Sequence, residues 1–191
     1  MKRTTAVFVL VILVFGAAVY FRSTSMNNQI PPVVSVPDST PEPSANMTLT
    51  STAFLHDQAI PTKYTCDGDN VNPPLTISGV PRDTQSLALV VDDPDAPMGT
   101  WVHWTLWNIA PTAVEISENS VPEKATLGTT SNGQPGYGGP CPPSGTHRYF
   151  FKLFALDTMI ELDGKATVAE LEETMKGHIL AQTQLIGRFG R

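Results

Sequence analysis

Several side chains that can bind a small anion lie in one stretch, Gly136 to Tyr149, with the sequence GYGGPCPPSGTHRY. Its glycines, Gly138 and Gly139 among them, allow backbone N–H groups to converge on a ligand, and its prolines stiffen the loop. The stretch continues into a predicted strand, where His147 and Tyr149 are two residues apart and share a face. An imidazole, a phenol and nearby amides suit an oxyanion such as phosphate or carboxylate.

A cluster of carboxylates follows the apolar run Ser86 to Asp92 (SLALVVD). A run of this length and composition predicts a buried central strand, and it ends at Asp92, Asp93 and Asp95. Three carboxylates within four positions are costly to crowd in a core. We therefore expect them at a sheet edge or a pocket rim, and a solvated turn with aspartate caps is the alternative.

A second histidine lies on the next predicted strand, which has the sequence WVHWTLWNI and ends at Ile109. Alternation along this strand predicts one face that carries Trp101, His103, Thr105 and Trp107. A lone strand histidine is more often structural than functional. The aspartate-rich turn just before this strand nevertheless offers His103 an acidic partner that could orient its ring.

Catalysis is a competing interpretation of the same residues. Ser144 or Cys141, with His147 and Asp93, would supply a nucleophile, a base and an orienting acid. His103, His147 and Asp93 would supply three zinc ligands. However, Ser144 lies in a turn without a nucleophile-elbow pattern, and the zinc candidates lack short ligand spacing. We therefore favour binding over catalysis, and expect neither a metal nor a cofactor.

The composition limits the classes of function. A chain of 191 residues with 41% hydrophobic content supports one domain with a substantial core. Of its 12 basic and 18 acidic residues, three and two lie in the first 46 positions, which leaves 9 and 16 in the rest. An acidic domain without a basic stripe is a poor partner for nucleic acid, which we exclude. Local geometry must therefore hold any bound anion.

The N-terminus has the pattern of an export signal. Residues 1–22 begin with a basic end and continue as a nearly uninterrupted apolar run, which predicts a signal or signal-anchor segment. Residues 23–46 are rich in Ser, Thr, Asn and Pro and predict an extended linker. A spacer is most useful if the apolar helix stays in the membrane. We therefore expect an extracytoplasmic, membrane-anchored domain, with cleavage and secretion as the alternative.

The oxidation state of the two cysteines depends on that compartment. In an exported protein Cys66 and Cys141 would form a structural disulfide, whereas in a reduced cytoplasm they would be two free thiols.

The remaining residues, 47–191, predict one mainly β domain. Strand patterns occur at Met47–Leu55, Leu75–Ser78 and Tyr149–Leu156. A capping box at Thr167 begins a helix that we expect to continue to about Ala181, followed by a short strand at residues 185–189. With one convincing helix, the predicted architecture is two packed sheets.

Four ordered motifs in this domain resemble the phosphatidylethanolamine-binding protein family, in particular its bacterial and archaeal Raf kinase inhibitor-like branch. They are DDPDAP, WVHW, GYGGPCPPSGTHRYFF and ELEETMKGHILAQTQLIGR, and the resemblance covers about Met47 to Arg191. It implies a β-sandwich with a C-terminal helix and a small anion pocket. The implied pocket residues are Asp93, His103, Gly138, Gly139, Pro140, His147 and Tyr149, with Asp95, Pro97 and Trp101 as supporting or rim residues.

The same resemblance implies a function. It favours a non-catalytic protein that binds a phospholipid headgroup or phosphate, with inhibition or modulation of an extracytoplasmic protease or another protein as the alternative. It also supports a bond between Cys66 and Cys141. One difference from relatives lies at Ser131–Pro135, where they commonly have charged and aromatic residues, so we expect a different pocket rim on that side.

Overall fold

The computed structural model describes residues 46–191. The predicted signal segment at 1–22 and all but the last residue of the predicted linker lie outside this range. Across residues 46–191, no helix is both long and apolar enough to cross a membrane.

The described chain forms two sheets and one α-helix, as predicted, although the first strand covers only Thr48–Thr50 of the predicted Met47–Leu55. In chain order the elements are β1 Thr48–Thr50, β2 Gln58–Ala59, β3 Leu75–Ser78, β4 Ser86–Asp93, β5 Trp101–Ile109, β6 Glu115–Ile116, β7 Thr126–Leu127, β8 Thr146–Leu156, α1 Val168–Met175 and β9 Ile179–Gly190. The small sheet has the order β1-β3-β6, and the large sheet has the order β2-β9-β8-β4-β5-β7.

The central strand of the large sheet is β4, and all eight of its residues are buried. Its apolar run therefore has the predicted role. One face of β4 carries Leu87, Leu89 and Val91, which pack in the core between the two sheets. The other face carries Ala88 and Val90, which pack in a second cluster with the side chains of α1. The domain thus has three layers: the small sheet, the large sheet and the helix.

The C-terminal segment differs from the sequence prediction. The capping box at Thr167 is present, but the helix ends at Met175 instead of near Ala181. Gly177 follows with φ +81°, a left-handed conformation that stops a helix and that glycine adopts without strain. The chain then forms β9, a long strand paired with the whole of β8, whereas the sequence pattern predicts only a short strand at 185–189. The described domain therefore ends in a strand, and its helix precedes that strand.

Candidate functional site

The pairing of the large sheet brings the predicted site residues together. Asp93 is the last residue of β4, whereas His103 and His147 lie near the beginnings of β5 and β8. Both of these strands are antiparallel to β4, so their N-terminal ends lie beside its C-terminal end. Together the three residues form part of a cavity of about 390 Å³. Of the three carboxylates expected at a sheet edge or pocket rim, only Asp93 lines this cavity, whereas Asp92 is buried and paired with Lys152.

A β-bulge directs His103 into this pocket. In the pairing of β4 with β5, Val91 is opposite Trp104 and Asp92 is opposite Val102, so His103 is the extra residue. Simple alternation predicted that His103 shares a face with Trp107. Instead Trp107 packs in the cluster beside α1, whereas His103 is in the cavity. That part of the predicted pattern is wrong, because a bulge shifts the alternation by one residue.

The residues around the bulge find their hydrogen-bond partners in the neighbouring loop. The Val102 amide donates to Ser131 Oγ at 2.8 Å, and the Val102 carbonyl accepts from the Ser131 amide at 3.0 Å. The His103 carbonyl accepts from the Gly138 amide at 2.8 Å. The loop from Ser131 to Gly138 thus replaces part of the strand pairing and holds the bulge in place.

His147 and Asp93 form a buried pair on the floor of the cavity. Nδ1 of His147 lies 2.7 Å from Oδ2 of Asp93, and both side chains are almost fully buried. Oδ1 of Asp93 accepts from the Asp95 amide at 2.8 Å. Both oxygens of Asp93 are thus engaged within the protein. This geometry allows Asp93 to orient His147, whereas the sequence suggested an acidic partner for His103.

His103 is held in a different way, by a backbone carbonyl. Its Nδ1 lies 2.7 Å from the Gly138 oxygen, and its ring packs edge-on against Tyr149 with centroids 5.2 Å apart. Burial lowers the pKa of His103, although the Gly138 carbonyl and the Asp93 carboxylate act in the opposite direction. The lowered pKa favours the neutral ring.

The glycine loop does not offer the amides that the sequence suggested. The Gly138 amide donates to the His103 carbonyl, and the Gly139 amide donates to Asn70 Oδ1 at 2.7 Å. A Cβ on Gly139 would lie 2.7 Å from both Asn70 Oδ1 and the Tyr64 carbonyl. Gly139 is thus required by close packing against another loop. Both glycines line the cavity, as predicted, but their amides donate to protein acceptors instead of facing a ligand.

Two other predicted ligand residues lie behind the surface of the cavity. Pro140 and Tyr149 are buried and do not line it. Burial raises the pKa of the Tyr149 phenol far above its usual value. Among residues 46–191 its hydroxyl has no hydrogen-bond partner of good geometry, although the Cys141 backbone is close to it. Tyr149 therefore packs against the His103 ring and helps to hold it in position.

The rim residues separate into two groups. Pro97 and Trp101 line the cavity, as predicted. Asp95 does not line it, because its carboxylate forms a bidentate salt bridge with the Arg148 guanidinium, with N···O distances of 2.7 and 2.8 Å. This guanidinium lowers the pKa of Asp95 to about 2. Asp95 therefore has a structural role.

Several lining residues were missed from the sequence. They are Asn70, Ala96, Met98, Asn132, Pro142 and Pro143. The Oδ1 atoms of Asn70 and Asn132 accept from backbone amides, which leaves their Nδ2 groups as donors beside the cavity. Asn132 belongs to the segment Ser131–Pro135, for which the family resemblance implied a different rim, and that expectation was the signal that could have identified it.

Cys66 and Cys141 form the expected disulfide, with their Cα atoms 5.5 Å apart. Both residues also line the cavity, so the bond joins the segment of residues 60–74, between β2 and β3, to the wall of the pocket. A parallel backbone hydrogen bond runs from the Cys66 amide to the Pro140 carbonyl at 3.1 Å. The sulfur of Cys141 is bonded and cannot act as a thiolate.

The geometry does not support the zinc alternative. Throughout residues 46–191, no group of three His, Cys, Asp or Glu side chains is arranged to hold a metal ion. In the proposed zinc set, Asp93 and the Nδ1 atom of His147 bind each other.

Comparisons with known proteins agree with this fold. A family model described as phosphatidylethanolamine-binding protein matches residues 50–190. A UPF0098 protein of Methanothermobacter thermautotrophicus is 46% identical over 150 residues, which cover 76% of this chain and 99% of the relative. A UPF0098 protein of Pyrococcus abyssi is 44% identical over 155 residues, which cover 76% and 86%.

Two solved structures are also similar. One is a phosphatidylethanolamine-binding protein homologue from Chlamydia trachomatis, with a TM-score of 0.75, 40% identity, and coverage of 78% of this chain and 99% of the homologue. The other is YbcL of E. coli, described as a member of the mammalian PEBP family, with a TM-score of 0.73, 32% identity, and coverage of 77% and 99%.

Proposed function

The chain belongs to the phosphatidylethanolamine-binding protein family, and on this premise we propose that it binds a small phosphorylated or anionic ligand without transforming it. One observation carries the proposal. His103 and His147 line the same cavity, and each is held through Nδ1 by an acceptor of the protein. Their Nε2 atoms are therefore the ring nitrogens left for a ligand.

The cavity suits a headgroup in size and in its distribution of polarity. Its volume of about 390 Å³ is near the lower end of the range for ligand sites. The two imidazoles form the polar floor, and the amides of Asn70 and Asn132 add neutral donors. Pro97 and Met98 contribute apolar surface. The floor could thus hold a phosphate group, while the organic group attached to that phosphate contacts the apolar side chains at the mouth. A phospholipid headgroup and a small phosphate ester both have this combination of groups.

Binding without catalysis is favoured by the absence of a competent nucleophile in this arrangement. Cys141 is in a disulfide, and Ser144 is exposed in a turn. His147 uses Nδ1 for Asp93, and within the part of the chain that the structure describes it has no hydrogen bond to a serine or a cysteine. An activated nucleophile needs such a base within hydrogen-bond reach.

We also propose that the domain works outside the cytoplasm. The apolar segment at 1–22 and the linker at 23–46 support export and membrane anchoring. The disulfide supports an oxidising compartment, because such bonds rarely persist in a reduced cytoplasm.

A second candidate function is modulation of another extracytoplasmic protein, such as a protease. The observation that favours it is the exposure of two large apolar side chains at the mouth of the cavity, Met98 at 96% and Trp101 at 42%. Exposed aromatic and Met side chains are enriched where proteins meet partners.

Calorimetric titration of the protein with inorganic phosphate tests the primary proposal. We expect saturable binding to the wild type and a loss of at least about tenfold in affinity for His147→Ala, since charge-assisted hydrogen bonds contribute roughly 1.5–3 kcal/mol each. His178→Ala is the matched control, because His178 pairs with Asp157 and does not line the cavity. No binding to the wild type, or equal losses in both variants, would refute the proposal.

A further inference from the structure

The hydrogen bonds of the pocket histidines fix which nitrogen carries the proton in each neutral ring. A carbonyl oxygen only accepts, so Nδ1 of His103 must donate to Gly138. A carboxylate likewise accepts, so Nδ1 of His147 donates to Asp93. In a neutral imidazole the other nitrogen then has a lone pair and no proton. Nε2 of a neutral His103 or His147 is therefore a hydrogen-bond acceptor.

His103 is the ring for which the acceptor state is best supported. It is only 6% exposed, and burial disfavours its charged form. The groups that favour the charged form are the carbonyls of Gly138 and Gly139 and the carboxylates of Asp93 and Asp92. Asp93 is already bonded to His147, and Asp92 is bonded to Lys152 at 2.5 Å. These bonds reduce the effect of both carboxylates, which leaves burial as the larger influence.

Donors in the pocket are separate from this acceptor. The amides of Gly138 and Gly139 are bonded within the protein, whereas the side-chain amides of Asn70 and Asn132 are beside the cavity. The site therefore presents at least one acceptor on its floor and donors on its side. A ligand that matches it must carry both an anionic oxygen and a proton to donate.

Building on the proposed function, we infer that the ligand is inorganic phosphate or a phosphomonoester that retains a P–OH group, and that this group donates its hydrogen bond to Nε2 of His103. A monoester keeps such a proton in weakly acidic solution, because its second pKa is about 6. A phosphodiester has no P–OH group. Sulfate has the same tetrahedral shape but is fully ionised.

Selectivity follows from the cost of a mismatch. If the ligand has no proton to donate, the lone pair on Nε2 of His103 faces an anionic oxygen and the buried acceptor stays unsatisfied. Sites built to bind a ligand O–H group reject analogues that lack it, because the polar groups of the protein are then left unpaired. The pocket would thus distinguish ligands of equal size by one proton.

The test is a calorimetric panel at about pH 6, where a monoester carries its proton in roughly half of the molecules. The ligands are inorganic phosphate, methyl phosphate, sulfate, dimethyl phosphate and glycerophosphoethanolamine. We expect phosphate and methyl phosphate to bind at least about tenfold more tightly than the other three.

The outcomes separate this inference from the proposed function. Equal affinity for sulfate and phosphate would overturn the inference and leave anion binding intact. Tightest binding of glycerophosphoethanolamine would also overturn it, and would assign the site to a phosphodiester headgroup. No binding of any ligand would refute the proposed function itself.

A variant pair assigns the selectivity to His103. In His103→Asn, the side-chain amide nitrogen can replace Nδ1 as the donor to Gly138, but there is no equivalent of Nε2. We expect the preference for phosphate over sulfate to fall to within about threefold, since the mismatch no longer leaves a buried acceptor unpaired. His178→Asn, the matched control, should retain the full preference. A folded His103→Asn protein with unchanged preference would contradict the inference, and the wild-type panel tests it without any variant.

Discussion

Removal of the disulfide should destabilise the fold substantially. Cys66 and Cys141 are 75 positions apart, so their bond closes a long loop in the unfolded chain. The loop-closure relation gives about 4.5 kcal/mol at 25 °C for a loop of this length. Residual contacts in the unfolded chain reduce that value, so we expect the free energy of unfolding of Cys66→Ser/Cys141→Ser to fall by about 3–4.5 kcal/mol.

Denaturant titration under non-reducing conditions measures this change. The dependence of the unfolding free energy on denaturant should become steeper in the variant, because an unfolded chain without the crosslink exposes more surface. Wild-type protein treated with a reductant is the control and should match the variant.

Phosphate affinity should change much less than stability. Three hydrogen bonds still connect the two loops: from the Cys66 amide to Pro140, from the Gly139 amide to Asn70, and from the Tyr137 hydroxyl to Tyr64. A loss of stability below about 1 kcal/mol would refute the loop-entropy reasoning. A complete loss of binding by a folded variant would show that the disulfide, and not these bonds, holds the pocket wall.

Three further predictions concern stability. Gly139→Ala should cost at least about 2 kcal/mol in a thermal or denaturant melt, because its Cβ would overlap a neighbouring loop, whereas Gly138→Ala should be milder because its nearest contact is at 3.6 Å; equal costs would contradict this. The pKa of His103 is lower in the folded state, so between that pKa and about 6.5 the unfolded chain binds more protons, and the free energy of unfolding should decrease as the pH is lowered through this range. His103→Asn should weaken this pH dependence, and an unchanged profile would contradict the prediction. Lys152→Met should destabilise by about 3 kcal/mol at pH 7, because it leaves the buried Asp92 carboxylate unpaired; since burial raises the pKa of Asp92, the loss should shrink in acid, and Asp92→Asn should restore part of it.

Local sequence patterns predicted the parts of the sheet that depend on the distribution of apolar and polar residues along the chain. The β4 run is apolar on both faces because one face meets the small sheet and the other meets α1. Asp93 was predictable as a pocket residue because β4 ends there and the turn carries polar groups. The two histidines approach it because their strands begin where β4 ends, which follows from antiparallel pairing.

Contacts between distant segments could not be predicted from these patterns. The bulge at His103 depends on hydrogen bonds between residues 102–103 and Ser131 and Gly138, about 30 residues further along the chain. The same is true of Gly139, whose lack of a side chain allows close approach of Asn70. A glycine-rich loop has the same sequence pattern whether its amides face a ligand or another loop.

The predicted end of the helix was wrong for a different reason. The apolar pattern after Met175 fits a helix, but Gly177 adopts a left-handed conformation and β8 offers a long free edge for pairing. Strand pairing with β8 therefore overrode the local helical preference.

The most direct test of the account is long-range nitrogen NMR of the imidazole rings during phosphate titration. The chain has four histidines, so His56 and His178 serve as internal controls. We predict that phosphate shifts the Nε2 signals of His103 and His147, while their Nδ1 atoms stay protonated. The ring nitrogen signals of the two control histidines should stay unchanged. Unchanged Nε2 signals at both pocket histidines, with saturating phosphate present, would contradict the claim that this cavity is an anion-binding site.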